Sequence, residues 1–331
     1  MNQLKLAVVG LGKMGLVHAT ILNSMPNVEV VCLCEKNYLL LKLVKKLFKT
    51  AKAVRSLEKL ADLSINSVYV TTPIPTHFPI IKAILSQNIA KNIFVEKTLA
   101  SNFEKSKELC ELAKKVNYVN MVGYMKRFAV TFGKAKRILT ENMLGEVGSF
   151  EAYAYSSDFS NANYGSLKTG TRGGVLSDLG SHIIDLALWF FGNFQVKSAM
   201  LKSSMGGIWE DSADFEVNKS GLTGNFHVSW CMDEYRLPSF GLIIKGHNGM
   251  LEVTDHFVKL NLKNLGPQVW YKHNLNDHVV FYLGDSEYFR EDEAFVNSAL
   301  TGNKVEPSFS TASKVDNIID EIKKAGKYDN K

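Results

Sequence analysis

The sequence predicts an α/β fold in two parts: a doubly wound parallel sheet, then an α+β domain with an open, mainly antiparallel sheet. Three observations predict it. Short apolar runs alternate with segments of helical period over the first 123 residues. Beyond that point alternating strands, punctuated by Gly and Asn, take over. A chain of 331 residues also exceeds what one core usually serves, so two domains are expected, at 1–123 and 124–331.

In order, LKLAVV (4–9), VEVVCLC (28–34), SVYVTT (67–72), NIFVEK (92–97) and YVNMVG (118–123) read as strands. Their near-continuous apolar character fits strands covered on both faces, with helices between them. A helix is expected over 130–142, followed by strands at 150–155, 213–217, 224–230, 240–246 and 250–253. NKSG (218–221) and HNG (247–249) are hairpin signals. Two helical patterns close the chain, near 287–300 and 311–325, and no repeat of 20 to 50 residues is found.

The composition, 46% hydrophobic and 22% charged, is that of a folded globular protein. MNQLKLAVVGLG has no separate apolar segment with a cleavage site, and no run approaches the roughly 18 apolar residues of a membrane span. A cytoplasmic protein with no membrane partner is expected. Cys32, Cys34, Cys110 and Cys231 lack paired metal-ligand spacing, so they read as reduced core residues and no metal site is expected.

The formal charge of +6 is concentrated between Lys36 and Lys59. There Lys42, Lys45, Lys46 and Lys49 fall at helical spacing opposite Leu40, Leu43, Val44, Leu47 and Phe48, the pattern of a solvated face on an amphipathic helix. Without interleaved aromatics or a recognisable motif, nucleic acid is not an expected partner.

GLGKMG places Gly10, Gly12 and Gly15 directly after the first strand and at the start of a helix. A tight turn needs the first glycine, a pyrophosphate needs the bare backbone of the second, and close helix packing needs the third. Glu35 ends the next strand, 20 residues beyond Gly15, where a carboxylate accepts both hydroxyls of an adenosine ribose. That order points to a dinucleotide site. Glu35 would repel a 2′-phosphate, which favours NAD; Lys36 and the basic helix leave NADP as the alternative.

In VLSDLGSHIID (175–185) a helix would put Asp178, His182 and Asp185 on one side. Two readings stay open on these residues alone. The face handles protons, or Ser177 and Asp178 merely start a helix while His182 bonds Asp185.

With these motifs assembled, the chain resembles the Gfo/Idh/MocA family, the glucose-fructose oxidoreductase and inositol dehydrogenase type. GLGKMG (10–15), TTPIPTH (71–77), EKTLA (96–100) and GGVLSDLGSHIID (173–185) carry the resemblance, with GYMKRF (123–128) and SWCMDEY (229–235) as further landmarks. It implies a Rossmann domain for cofactor and an α+β domain that covers substrate and builds a homodimer or homotetramer. Cofactor contacts are implied at Gly10, Gly12, Lys13, Met14, Gly15, Glu35, Thr72, Pro73, His77, Glu96 and Lys97. For His77 a plain helix-starting role is the alternative.

The resemblance also implies that Lys97, Asp178 and His182 surround the reacting hydroxyl. Imidazole titrates near neutrality and suits the base; Asp178 would orient it, and Lys97 would hydrogen-bond the substrate oxygen. Asp185 would support rather than react. Arg127, Lys168 and Arg172 suggest a substrate carboxylate or phosphate, with plain solvation as the alternative. Tyr155, with Tyr153, Tyr164 and Trp230, is either a sugar platform or part of the sheet face.

Three residues depart from the family pattern: Thr98 where proline usually follows the lysine, Ile74 where asparagine is common, and Glu35 where aspartate is common. The implied activity is NAD(P)-dependent oxidation or reduction at a secondary alcohol of a sugar, cyclitol or sugar derivative. A non-catalytic dinucleotide sensor and a reductase of a non-sugar acceptor are the alternatives.

Overall fold

The computed structural model describes residues 3–115, 119–157, 172–204 and 208–329. In chain order the strands are β1 Leu4–Val9, β2 Val28–Cys34, β3 Lys52–Val54, β4 Ser67–Val70, β5 Asn92–Glu96, β6 Val119–Gly123, β7 Val147–Tyr155, β8 Gln195–Lys202, β9 Ser212–Lys219, β10 Leu222–Ser229, β11 Ser239–Gly246, β12 Gly249–Thr254, β13 Phe257–Leu262, β14 Gln268–Tyr271 and β15 Gly326–Asp329. The helices are α1 Lys13–Ser24, α2 Tyr38–Lys45, α3 His77–Ser86, α4 Phe103–Lys114, α5 Val130–Thr140, α6 Ser181–Phe191, α7 Ser286–Thr301 and α8 Phe309–Ala325. They form two compact units, Met1–Met125 with Val279–Asp316, and Lys126–His278 with Asn317–Lys331.

The first unit is a six-stranded sheet, β3-β2-β1-β4-β5-β6, with every pairing parallel. Its central strands are buried throughout: Leu6, Ala7, Val8, Val68, Tyr69, Val70, Ile93, Phe94 and Val95 are closed to solvent. This is why they read as unbroken apolar runs. The order reverses at β1 and β4, which puts the loops after those strands at the switch point where such sheets bind ligands.

Two expectations are corrected here. The domain division at 123–124 gives the first unit no residue beyond Gly123, yet Val279–Asp316 belongs to it. Helix α7 buries Phe289, Phe295 and Val296 and packs on α1, β1 and β6. The second correction concerns α2. Leu41, Val44 and Phe48 face inward, whereas Leu43 and Leu47 stand 62% and 73% exposed among the lysines. Only one narrow side of this edge helix is covered, so its apolar residues outnumber the places available.

The second unit is a nine-stranded sheet, β14-β13-β12-β11-β7-β10-β9-β8-β15. Its pairings are antiparallel except β7 with β10 and β8 with β15. Along β7, Phe150, Ala152 and Ala154 are buried and alternate with Glu151, Tyr153 and Tyr155. The Phe150 ring stacks on Phe191 of α6 at 4.5 Å, so this face carries the helix. No helix among the described residues is long and apolar enough to cross a membrane.

Candidate active site

The loop from β1 to α1 has the shape its glycines require. Gly10 has φ +93°, and a Cβ there would lie 2.7 Å from Thr72 Cγ2. A Cβ on Gly15 would stand 1.9 Å from the Gly10 carbonyl oxygen. At Gly12, by contrast, nothing lies within 4 Å of the Cβ position, and no side chain caps the N-terminus of α1. Bare backbone, open space and uncapped amides fit the pyrophosphate of a dinucleotide. Lys13, exposed, and Met14, half-buried, flank this opening.

Glu35 directly follows β2, with both carboxylate oxygens fixed. Oε2 accepts from the Leu11 amide at 2.8 Å and Oε1 from the Asn37 amide at 2.8 Å. The acid therefore holds the glycine loop and the start of α2 in register while its remaining lone pairs stay available for ribose hydroxyls. Arg55 sits close by, its Nε and Nη2 each 3.2 Å from the Lys36 carbonyl oxygen.

The loops after β4 and β5 are tied together by His77. Its ring, fully buried, reaches the Thr72 carbonyl through Nε2 and the Thr98 carbonyl through Nδ1, both at 2.7 Å. Burial pulls its pKa down. His77 thus both starts α3, as a helix-initiating residue would, and braces the two loops that carry the cofactor candidates Thr72, Pro73, Glu96 and Lys97. Thr72 accepts from the Thr76 hydroxyl at 2.8 Å, and Pro73 is exposed beside it. The Lys97–Thr98 peptide is cis. Both oxygens of Glu96 are engaged within the unit: Oε1 meets His18 Nε2 at 2.9 Å, and Oε2 accepts from the Lys97 amide at 3.2 Å.

In the second unit Gly173 and Gly174, with φ +74° and +89°, turn the chain into a π-turn at Leu176–Gly180 that continues as α6. Such a turn is wider than an α-turn and recurs at functional sites. Asp178 lies on it, and the half-exposed Arg172 donates to its Oδ2 from Nη1 at 3.1 Å. His182 follows in the first turn of α6, only 4% exposed, its ring edge-on to Phe240 at 5.3 Å. Lys126, buried and paired with Asp255 at 2.7 Å, places its ammonium 5.1 Å from the same Phe240 ring.

Asp185 bonds Arg127. Arg127 Nε and Nη2 reach the two Asp185 oxygens at 2.7 Å each, and the guanidinium lies over Trp189. Two of the five guanidinium N–H donors are thus spent on Asp185, so Arg127 serves first as the partner of a buried acid. Tyr155 is part of the sheet face, one of the two readings given for it. Side chains alternate across a strand, and Phe240, which meets His182, pairs with Ala154. Tyr155 stands on the opposite face, stacked on Tyr153 and tilted against Tyr235, each at 5.1 Å. Lys168 and Tyr164 lie outside the described residues.

Sequence reasoning missed the supports. Buried Glu210 accepts from the Leu176 amide at 3.3 Å, and a Cβ on Gly174 would come within 2.2 Å of that same Glu210 oxygen. Lys323 bonds the Gly173 carbonyl at 3.1 Å and lies 3.7 Å from Glu210. Burial pushes the Glu210 carboxyl up. The paired glycines were the available signal, since two residues that need positive φ imply something packed against them. Among the described residues no group of three or more His, Cys, Asp or Glu could hold a metal ion.

Comparison with known proteins agrees with this geometry. Residues 4–124 match the family model described as an oxidoreductase family with an NAD-binding Rossmann fold, and 132–252 match the GFO/IDH/MocA C-terminal domain. The chain belongs to the Gfo/Idh/MocA oxidoreductase family. A relative in this family, scyllo-inositol 2-dehydrogenase (NAD(+)) of Bacillus subtilis (strain 168), is 29% identical over 193 residues, 58% of this chain and 55% of the relative. A second from the same organism, scyllo-inositol 2-dehydrogenase (NADP(+)), is 27% identical over 194 residues, 58% of this chain and 52% of the relative. The chain thus spans little more than half the length of these relatives. A levoglucosan dehydrogenase solved with NADH and levoglucosan has the same fold, with a TM-score of 0.88, 21% identity and coverage of 98% and 97% of the two chains.

Proposed function

We propose that this protein is an NAD(P)-dependent dehydrogenase or reductase acting at a secondary alcohol or ketone of a sugar, cyclitol or sugar derivative. The observation that carries the proposal is the placement of His182. A helix whose other residues over 183–188, Asp185 excepted, are buried and apolar holds an imidazole there, with Asp178 in the turn before it. Asp185 supports Arg127, and Asp178 with His182 is the proton-handling pair.

Gly10, Gly12, Gly15 and Glu35 would hold the dinucleotide, with Lys13, Met14, Thr72 and Pro73 around it. When bound, the nicotinamide supplies the hydride acceptor or donor. The protein supplies the rest. An imidazole nitrogen of His182 takes the hydroxyl proton in the oxidative direction, and Asp178 stabilises the imidazolium that results. Lys97 hydrogen-bonds the substrate oxygen through Nζ and favours its developing negative charge. Arg172, beside Asp178, is the cation that a substrate carboxylate or phosphate would meet. The same proposal takes the protein to be a cytoplasmic homodimer or homotetramer, which light scattering checks.

The test is a panel of sugars, cyclitols, uronates and nucleotide sugars followed by NADH absorbance with NAD and with NADP. His182→Ala and Asp178→Asn are expected to lower kcat by about 10²- to 10⁴-fold. NADH binding should stay within a few fold. Turnover that survives His182→Ala would favour a reductase without this base, and binding without turnover on any substrate would favour a sensor.

A further inference from the structure

The first unit buries more carboxylates behind Lys97 than one imidazole can neutralise. His18 of α1 is closed to solvent, with Nδ1 2.7 Å from Asp292 Oδ1 and Nε2 2.9 Å from Glu96 Oε1. A neutral ring has a single N–H, so one lone pair would then face an anionic oxygen. Two N–H donors remove that repulsion, which makes His18 an imidazolium. Burial opposes the charge, but the two carboxylates outweigh it and hold the pKa well above the ordinary histidine value.

Burial likewise opposes the charge on Glu96, yet His18 and Lys97 keep its pKa below the ordinary value, so it stays ionised. Glu291 precedes Asp292 on α7, is itself buried, and neither of its oxygens has a hydrogen-bond partner among the described residues. Burial above all, reinforced by Glu96, Asp292 and Glu287, pushes its carboxyl well up. The rings of Phe94, Tyr69 and Tyr288 pack around His18 at 5.0, 5.7 and 6.1 Å.

Apolar side chains of similar volume would stabilise such a site at least as well, so the charges call for a function. Only Glu96 leads from the cluster to a residue with a chemical role: its Oε2 accepts from the Lys97 amide. Gly123 makes room for that arrangement, since a Cβ there would lie 3.3 Å from Oε2.

We propose that His18 and Asp292 are positioning residues for Lys97: the Asp292–His18–Glu96 chain pins the Glu96 carboxylate against the Lys97 amide and thereby sets how Lys97 leaves the end of β5. This rests on the assignment of Lys97 to the reaction. Without His18, Glu96 would keep one backbone partner and face two other buried carboxyl groups, and its rotamer would no longer be fixed.

A double-mutant cycle on the cofactor-loaded enzyme tests this, with kcat and the Kd for NADH read together. Lys97→Ala is expected to lower kcat by about 10²- to 10³-fold, the loss typical of one donor to a developing oxyanion. His18→Gln is expected to lower kcat by about 10- to 100-fold through misplacement, with the Kd for NADH changed less than about threefold. In the Lys97→Ala background, His18→Gln should cost less than about threefold more, because the group it positions is gone. Additive losses overturn the positioning role, as does a fall in NADH affinity equal to the fall in kcat. A Lys97→Ala enzyme of unchanged kcat overturns instead the assignment on which the proposal rests.

Asp292→Asn serves where His18→Gln is unstable, since it keeps an acceptor for Nδ1 and the same packing. It should lose about threefold in kcat against about tenfold or more for Asp292→Ala. Equal losses overturn the proposal. In ¹⁵N-labelled protein near neutral pH, both His18 nitrogens should be protonated, and a bare nitrogen overturns the imidazolium.

Discussion

The two units bury charge in opposite ways. In the first, one histidine stands against Asp292, Glu96 and Glu291, so the balance depends on how many protons the cluster holds. In the second, buried carboxylates meet a lysine or an arginine at two places, Asp185 with Arg127 and Glu210 with Lys323; Lys126 is likewise spent on Asp255. The difference separates two tasks. The second unit fixes α6 and the turn before it with permanent cations, whereas the first fixes a strand end with groups that titrate.

The largest effect should come from breaking a fixed pair. Arg127→Ala leaves Asp185 as an uncompensated buried charge and is expected to destabilise the second unit by about 3–5 kcal/mol. Urea unfolding measures it, with amide exchange in α6 as the local report. Replacing both partners by apolar residues, as in Arg127→Met with Asp185→Leu, should restore most of that loss, because the packing over Trp189 is kept. If the single variant costs less than about 1 kcal/mol, the pair is more solvated than its geometry implies, and the contrast between the units weakens.

A second test exposes the proton dependence of the first unit. His18 has a raised folded pKa, so its contribution is complete below about pH 6.5, the unfolded value, and is lost as pH rises through the folded value. Asp292 and Glu291 are raised chiefly by burial, so the unfolded chain gives up these protons first and alkali again favours unfolding. Glu96 is lowered by His18 and Lys97 against burial, so its contribution is present above its unfolded value and lost on acidification. Stability of the first unit should therefore fall on both sides, most steeply toward alkaline pH. The second unit has one strongly buried carboxyl raised in this way, Glu210, and should decline less. Amide exchange at β5 and at β10, followed across pH, separates the two. Parallel declines would mean that His18 is neutral in the fold.

Legibility followed the range of the interactions. Strands β1 and β2 match their expected limits, 4–9 and 28–34, residue for residue, because burial on both faces writes an unbroken apolar run into the sequence. The glycine loop and the place of Glu35 after β2 were legible because their spacing is local, whereas the single helix expected over Asp178 and His182 is a π-turn leading into α6. Edge strands were not: β3 has three residues, and β14 buries none of its four. Nor were the long-range partners. Nothing near His18 announces Asp292, 274 residues away, and nothing near Asp185 names Arg127, 58 residues away. The placement of α7 failed for the same reason, since an amphipathic helix shows that it has a buried face without showing which sheet covers it.

The smallest effect is expected at Glu35, and it sharpens the comparison by testing a charge that is fixed without a cation. Two backbone amides hold this carboxylate, from Leu11 and Asn37, so Glu35→Gln leaves at most one of them well served and removes the negative charge. Loss of one charge-assisted acceptor for the ribose should raise the Kd for NAD by about threefold to tenfold. The repulsion felt by a 2′-phosphate falls at the same time, by about 1–2 kcal/mol for charges a few ångströms apart near the surface, so the preference for NAD over NADP should narrow by about tenfold or more. Arg55, held on the Lys36 carbonyl next to Glu35 in the chain, is then a guanidinium that could turn toward the phosphate. Adding Arg55→Ala should return part of the lost preference. Unchanged ratios in Glu35→Gln would mean that the acid serves only the glycine loop and that cofactor choice is made elsewhere.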